Sequence, residues 1–206
     1  REALDRDPYF AQLKTFPIQL VGIKMLKLLP ATSEAIRYSC LRFHYARSVP
    51  SVQVGYSVFE DEEWCGTICF GGGAIFRIAE PFGLGQGEVL ELVRVALNGK
   101  QKKTSQVVAR AIKLLKLDRP LVKMLVSYAD SEQGHLGTIY KATNWLFIGE
   151  VKGLTLEIDG KNIHPRSANV KYGTCSIHKL REKGIVAKTI HLKPKFKYIF
   201  PLTEDL

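Results

Sequence analysis

The amino-acid sequence predicts an α/β or α+β fold in which helices flank a mixed central β-sheet. Residues 51–59 alternate apolar and polar side chains, and residues 64–70 return as their antiparallel partner after an acidic turn. Two further apolar segments, 89–97 and 121–127, enclose a helical pattern and are therefore expected to pair as parallel strands. The combination of antiparallel and parallel pairing makes the predicted sheet mixed.

The N-terminal 45 residues are predicted to form helices. Apolar residues are helix-spaced up to Pro17, and residues 18–29 then have an amphipathic pattern. Thr32 is a suitable N-cap residue for another short helix that ends before the first strand.

The second half of the predicted sheet combines strands with short helices. The helix between the parallel strands is expected to begin at residue 104 or 105 and to end before Pro120. The following strand leads into Asp130, a glycine-containing loop, a short helix carrying Tyr140, and a new strand from residue 146. Ligands bind open sheets of this kind at the carboxyl ends of the strands, so a site is expected there.

Length and charge predict one catalytic domain with a basic extension. The chain has 206 residues and a net charge of +10, which favours a polyanionic partner. Residues 151–206 contain eleven Lys and Arg against five Asp and Glu, and their pattern predicts strands with one short helix at Ser176–Lys183. We therefore expect a domain at 1–155 and a basic extension at 156–206, packed on the same domain, although a solvated basic surface is the alternative.

The composition predicts a cytoplasmic protein. The chain contains no run of eighteen apolar residues that could span a membrane. Its four cysteines contain no C-x-x-C pair and are expected to be buried, reduced thiols: Cys40, Cys65, Cys69 and Cys175.

A first candidate site is the basic turn at the start of the helix between the parallel strands. A helix N-terminus attracts anions, and Lys103 adds a positive charge there. Thr104 and Ser105 can cap the helix or donate a hydrogen bond to a phosphate oxygen. The turn is therefore a candidate pyrophosphate site, with an ordinary capped helix as the alternative.

A second candidate site follows the strand at 121–127. The pKa of an ordinary tyrosine, near 10, suits Tyr140 to protonating a thiolate leaving group. The alternative is a core tyrosine packed against Trp145. Asp130 lies where carboxylates of open sheets often act, and its alternative role is to cap the next turn.

A third candidate site combines His44 and Tyr45, just ahead of the first predicted strand, with the charged members of the strand at 89–97. Glu91 is a candidate general base because an amine nucleophile must lose a proton. Glu91 and Arg94 are three residues apart in a strand, so their side chains are expected on opposite faces.

These motifs resemble two related groups of proteins. Strand, loop, short helix with a tyrosine, and strand are similar to the acyl-CoA site of GNAT acyltransferases, although the glycines of the usual pyrophosphate loop are missing. His44-Tyr45, the strand around Glu91 and Arg94, and the block from Asp130 to Trp145 resemble the Mom family of phage DNA-adenine modification proteins, a divergent branch of the GNAT fold.

The resemblance implies conversion of adenine N6 in double-stranded DNA to a carbamoylmethyl-type adduct that protects phage DNA from restriction. Active-site positions would be His44, Tyr45, Asp130 and Tyr140, with Arg94 at the donor. It implies an acyl-CoA or another activated donor, and iron held by His44 with Tyr45 or Asp130. The basic extension would bind DNA phosphates through Lys161, Arg166, Lys171, Lys179, Arg181, Lys193, Lys195 and Lys197.

Two other functions stay open at this point. One is a GNAT enzyme that acetylates a protein or a small-molecule amine, and the other is a DNA-binding relative without catalytic activity. The sequence leaves the donor, the target sequence and the oligomeric state open, a homodimer included.

Overall fold

The computed structural model describes residues 25–73 and 77–203, except the side chain of Arg166. These residues form two compact units. Of the described residues, the first unit contains those up to Ser127, Ile139–Trp145 and those from Ile199 to residue 203. The second contains Tyr128–Thr138 and Leu146–Tyr198. This division differs from the predicted single boundary at residue 155, which lies inside a strand.

The elements of the first unit are β1 (Leu26–Pro30), α1 (Ser33–Arg42), β2 (Val54–Glu60), β3 (Glu63–Gly71), β4 (Val89–Leu97), α2 (Thr104–Asp118), the beginning of β5 (Met124–Asp130) and α3 (Thr138–Lys141). Its strands lie in the order β1-β2-β3-β4-β5. The first three pairings are antiparallel and the pairing of β4 with β5 is parallel, which confirms the predicted mixed sheet.

Helices α1 and α2 contribute to the core of this unit. The Oγ1 atom of Thr32 accepts a hydrogen bond from the N–H of Ala35 at 3.2 Å, which confirms the predicted N-cap. Helix α2 buries the apolar stripe Val107, Val108, Ala111, Ile112 and Leu115.

The prediction of a helix through residue 29 is wrong for Leu26–Pro30, which form a strand. Five residue pairs join this segment to β2, so backbone pairing at the edge of the sheet overrides its helical apolar pattern. The helices predicted for residues 1–24 lie outside the described residues.

A bulge in β4 changes which side chains share a face. Arg94 is opposite Cys69 and Leu92 is opposite Phe70, so β4 carries one extra residue at Val93. Glu91 is opposite Gly71, two residues from Cys69 on the same face of β3. Glu91 and Arg94 therefore lie on one face, and the prediction of opposite faces is wrong.

The second unit begins with the last three residues of β5 and continues with β6 (Leu146–Ile158), β7 (Lys161–Ile163), α4 (Pro165–Tyr172), α5 (Ile177–Glu182) and β8 (Ala187–Pro201), which ends in the first unit. Its strands lie in the order β5-β8-β6-β7. Helix α5 agrees with the helical segment expected near residues 176–183, whereas α4 was not predicted.

The second unit has a small core of its own. Its fully packed members come from two strands and two helices: Leu156, Ile158, Ala168, Leu180 and Ala187. Within the described part of the chain, no helix is long and apolar enough to cross a membrane.

Candidate active site

Strands β4 and β5 separate after three residue pairs. The last pair joins Glu91 to Val126. Beyond this pair, the side chain of Ser127 joins the two strands, because its Oγ–H donates to the carbonyl oxygen of Leu92 at 3.0 Å. The side chain thus satisfies a buried carbonyl that backbone pairing no longer reaches.

Ser127 also holds Tyr140. The two hydroxyl oxygens are 2.8 Å apart, and both residues are buried. Because the hydroxyl of Ser127 has one proton and donates it to the carbonyl of Leu92, the phenol of Tyr140 must be the donor in this second bond. A chain of hydrogen bonds therefore runs from Tyr140 through Ser127 to β4, at the point where the strands open.

Sequence reasoning did not single out Ser127. It sits at the end of an apolar run, where a serine is usually one more strand residue. The signal that could have found it is its position immediately after the paired part of β5.

The ring of Tyr140 is also a core residue, as the alternative interpretation expected. It packs edge-on against Trp145, with ring centroids 5.2 Å apart, and Trp145 in turn contacts Phe200 at 5.7 Å. These aromatic contacts fix the ring, so the hydroxyl has a defined position beside Ser127.

Glu91 and Arg94 occupy the face described above. Arg94 donates from Nη1 to the carbonyl of Val93 at 2.6 Å and from Nη2 to Ser48 Oγ at 3.2 Å. A Cβ atom at Gly73 would lie 2.7 Å from Glu91 Oε2, so this carboxylate lies against bare backbone.

Two thiols lie near Arg94. The hydrogen bond from Cys69 lowers the pKa of the Cys40 thiol, and the charge of Arg94 lowers it further, against the effect of burial. The same hydrogen bond and burial raise the pKa of Cys69. The prediction of buried thiols is confirmed for Cys40, Cys65 and Cys69 and is wrong for Cys175, which is exposed in the turn between α4 and α5.

The basic turn before α2 is neutralised by the acidic turn between β2 and β3. Lys102 Nζ lies 3.4 Å from Glu60 Oε1 and 3.3 Å from Asp61 Oδ2. The Lys102 backbone N–H donates to Glu60 Oε2 at 3.2 Å, and Lys100 forms an ion pair with Glu63. These carboxylates, Asp61 foremost, raise the pKa of Lys102. A carboxylate therefore already occupies a donor of this turn.

The start of α2 is not that of an ordinary capped helix, which was the alternative to a pyrophosphate site. Lys103 is the N-cap residue and makes no side-chain capping bond. Thr104 Oγ1 instead accepts from Gln101 Nε2 at 2.9 Å, and Ser105 lies in the first turn. The helix N-terminus is thus open to an anion in its geometry.

His44 and Tyr45 follow α1 and lie against each other, with ring centroids 4.3 Å apart. His44 Nδ1 accepts from the N–H of Ala46 at 3.1 Å, and Tyr45 is 46% exposed. Throughout residues 25–73 and 77–203, no group of three or more His, Cys, Asp or Glu side chains could hold a metal ion. The donor set around His44 and Tyr45 therefore does not fit the iron that the family resemblance implies, and no step below is routed through it.

Asp130 ends β5 and belongs to the second unit. Its Oδ1 accepts from the N–H of Glu132 at 3.2 Å, and its Oδ2 lies 3.5 Å from Lys195 Nζ. The predicted turn-capping role is thus present, and the carboxylate is paired with a cation.

The other predicted DNA-binding residues also lie in the second unit. Burial lowers the pKa of Lys197. Lys171 lies over the ring of Tyr172 at 5.0 Å, and Arg181 donates to the carbonyl of Ala187 at 3.4 Å. The exposed members are Lys161, Lys171, Lys179, Arg181 and Lys193.

An antiparallel hairpin beside two parallel strands that open after a few pairs defines the GNAT class of acetyltransferase folds. The structure of Arabidopsis thaliana NAA60 in complex with acetyl-CoA is similar, with a TM-score of 0.51 and 9% identity over 86% of this chain and 99% of that chain. Aminoglycoside acetyltransferase AAC(6')-Ib in complex with coenzyme A has a TM-score of 0.49 and 12% identity over 86% and 95%. The chain has a GNAT fold.

Within that class, the model of the Mom protein family matches residues 26–206, and the chain belongs to this family. The methylcarbamoylase mom of Escherichia phage Mu is 32% identical over 82 residues, which are 39% of this chain and 34% of that protein. The chain thus matches about a third of the length of that relative, and the family resemblance found in the sequence is confirmed.

Proposed function

We propose that this protein is a transferase that modifies the N6 amine of adenine in double-stranded DNA. The proposed adduct is of the carbamoylmethyl type, and its role is to protect DNA from restriction endonucleases. The single observation that carries a catalytic role is the buried Tyr140–Ser127–Leu92 hydrogen-bond chain at the opening of β4 and β5. Membership of the Mom family and the excess of positive charge support DNA as the substrate.

Tyr140 would act as the general acid. When the amine attacks the carbonyl of a thioester donor, the new N–C bond forms, the bond to sulfur breaks and the departing thiolate needs a proton. This step gives an N6-acyl product. A carbamoylmethyl product, which is attached through CH2, would need a donor that carries its thiolate leaving group on that CH2 carbon, and the departing thiolate would need a proton in the same way. The phenol supplies it by turning its O–H away from Ser127, whose own hydroxyl proton stays on its Oγ and is donated to the carbonyl of Leu92. Ser127 therefore positions the phenol oxygen without competing for the proton.

Glu91 would act as the general base. The adenine amine is a weak nucleophile because its lone pair is delocalised into the ring, so it must lose a proton as the new bond forms. The bulge places Glu91 on the face that also carries Arg94. The guanidinium can then hold negative charge on the donor while the carboxylate removes the proton.

The target base must leave the duplex before it can react. Its amine is paired and stacked in double-stranded DNA, and extruding a base costs a few kcal/mol. The exposed lysines and arginine of the second unit supply contacts to phosphates that offset this cost.

The donor is proposed to bind at the N-terminus of α2. Lys103, Thr104 and Ser105 lie there, and the helix dipole favours the diphosphate of an acyl-CoA. Glu60 opposes this, because its carboxylate accepts the turn N–H that a phosphate oxygen would otherwise take.

Glu60→Gln is therefore expected to strengthen acetyl-CoA binding about fivefold. Removing one like charge a few ångströms from a phosphate is worth roughly 1 kcal/mol in water and more near a protein surface. Isothermal titration calorimetry with acetyl-CoA measures the change. Glu62→Gln is the matched control, since it changes the net charge equally from an exposed position of the same acidic turn. Equal affinities in the two variants would show that Glu60 does not limit access to the turn.

Nucleoside mass spectrometry on DNA from cells that express the chain tests the proposed function. An acetyl group and a carbamoylmethyl group differ by NH, so the mass of the modified nucleoside identifies the base and separates these two groups, and fragmentation separates carbamoylmethyl from its isomer glycyl. Unmodified DNA in the presence of abundant, folded protein would overturn the proposal. It would favour the DNA-binding relative without activity, which the neutralised turn before α2 supports, or an enzyme for another amine.

A further inference from the structure

Helices α4 and α5 form a pair joined by a four-residue turn at 173–176. Gly173 begins the turn with a φ of +73°, a conformation that suits glycine and ends α4. Ala168 and Leu180 are completely buried in the small core of the second unit. One face of each helix is therefore fixed against that core.

Three side chains of α4 without charge lie in solvent. Ser167, Asn169 and Val170 are exposed, and Val170 is 82% exposed although it is apolar. With Ala168 inward, the helical period of 3.6 residues turns Ser167 and Val170 away from the core. A hydroxyl, an amide and two methyl groups on one short helix are groups that read base edges in the major groove.

The segment that contains the helix pair is basic. Residues 157–188 contain seven Lys and Arg against three Asp and Glu. Glu157 is paired with Lys188 at 2.9 Å, and Glu182 Oε1 lies 3.3 Å from His178 Nδ1, so the segment keeps an excess of four positive charges, seven minus three. Lys171 and Lys179 remain exposed on the two helices. The charge of the pair is thus complementary to a phosphate backbone.

We propose that α4 enters the major groove of duplex DNA and selects the sequence around the modified adenine. Asn169 and Val170 would contact base edges, with the amide suited to adenine and the methyl groups to the methyl of thymine. Lys171 and Lys179 would contact phosphates and set the register of the helix. This inference rests on the proposed function, because it assigns the choice of target sequence to the second unit.

The test is a selection from randomised duplex DNA by the purified full-length chain, followed by sequencing of the bound molecules. The unchanged protein is expected to show base preferences over a few adjacent positions. Asn169→Ala and Val170→Ala should each lose about tenfold discrimination at one or two of these positions. Lys171→Ala should weaken binding to all sequences alike.

Val186→Ala is the matched control, because Val186 is also an exposed valine of the second unit, at 77%, but lies outside the helix pair. It should leave the preferences unchanged. The absence of any sequence preference, or preferences that survive both α4 substitutions, would overturn the inference.

The sequence contexts of modified adenines in cells separate this inference from the proposed function. Modified DNA with the same contexts in the Asn169→Ala variant would contradict the inference alone. Unmodified DNA would contradict the proposed function alone, since the binding selection is scored without catalysis.

Discussion

Tyr140→Phe is expected to lower DNA modification by about 10²–10⁴-fold, the usual contribution of a general acid. The substitution removes only the hydroxyl that donates to Ser127, while the ring keeps its contact with Trp145. The loss in folding stability should be about 1 kcal/mol, the value of one buried hydrogen bond. Rates of adduct formation by mass spectrometry and a thermal unfolding curve measure the two effects separately.

Tyr198→Phe is the matched control for this experiment. Tyr198 is also buried, and its hydroxyl donates to the carbonyl of Leu136 at 3.3 Å, within the second unit. It should therefore show a similar loss of stability with retained modification. Retained activity in Tyr140→Phe would limit Tyr140 to packing.

Gly66→Ala is expected to destabilise the fold by at least about 3 kcal/mol. Gly66 has a φ of +124°, and a Cβ atom there would lie 2.1 Å from the carbonyl oxygen of Ala96. That oxygen belongs to the backbone of β4, so it cannot rotate away as a side chain could. Strands β3 and β4 would have to separate where they pair, and urea unfolding measures the loss.

Gly83→Ala separates the steric clash from backbone strain. Gly83 also has a positive φ, +66°, but a Cβ atom there meets nothing within 4 Å. It should cost about 1 kcal/mol, the penalty for a side chain in the left-handed region. An equal loss of stability in both variants would mean that a side chain at residue 66 does not clash with the backbone of Ala96.

Patterns within a single segment predicted the elements that bear on the site. Val89–Leu97 and Thr104–Asp118 have the bounds expected from their apolar periodicity and from the turn before the helix. The capping side chain of Thr32 placed α1 for the same reason, since capping is a contact between neighbours in sequence.

Features that depend on residues far apart in the chain could not be predicted from local sequence patterns. The strand at Leu26–Pro30 depends on pairing with β2, and the shared face of Glu91 and Arg94 depends on a bulge that has no local signature. The contact of Glu60 with Lys102 joins residues 42 positions apart. Each of these results from tertiary packing that local patterns do not encode.

The number of cysteines that a thiol reagent can reach distinguishes the folded chain from the unfolded chain. Cys175 is exposed, whereas Cys40, Cys65 and Cys69 are buried. A maleimide dye should therefore attach once to the native protein, within the turn between α4 and α5, and four times to the unfolded chain. One label would report on DNA at the helix pair without any substitution, and the number of labels would report unfolding in every variant described above.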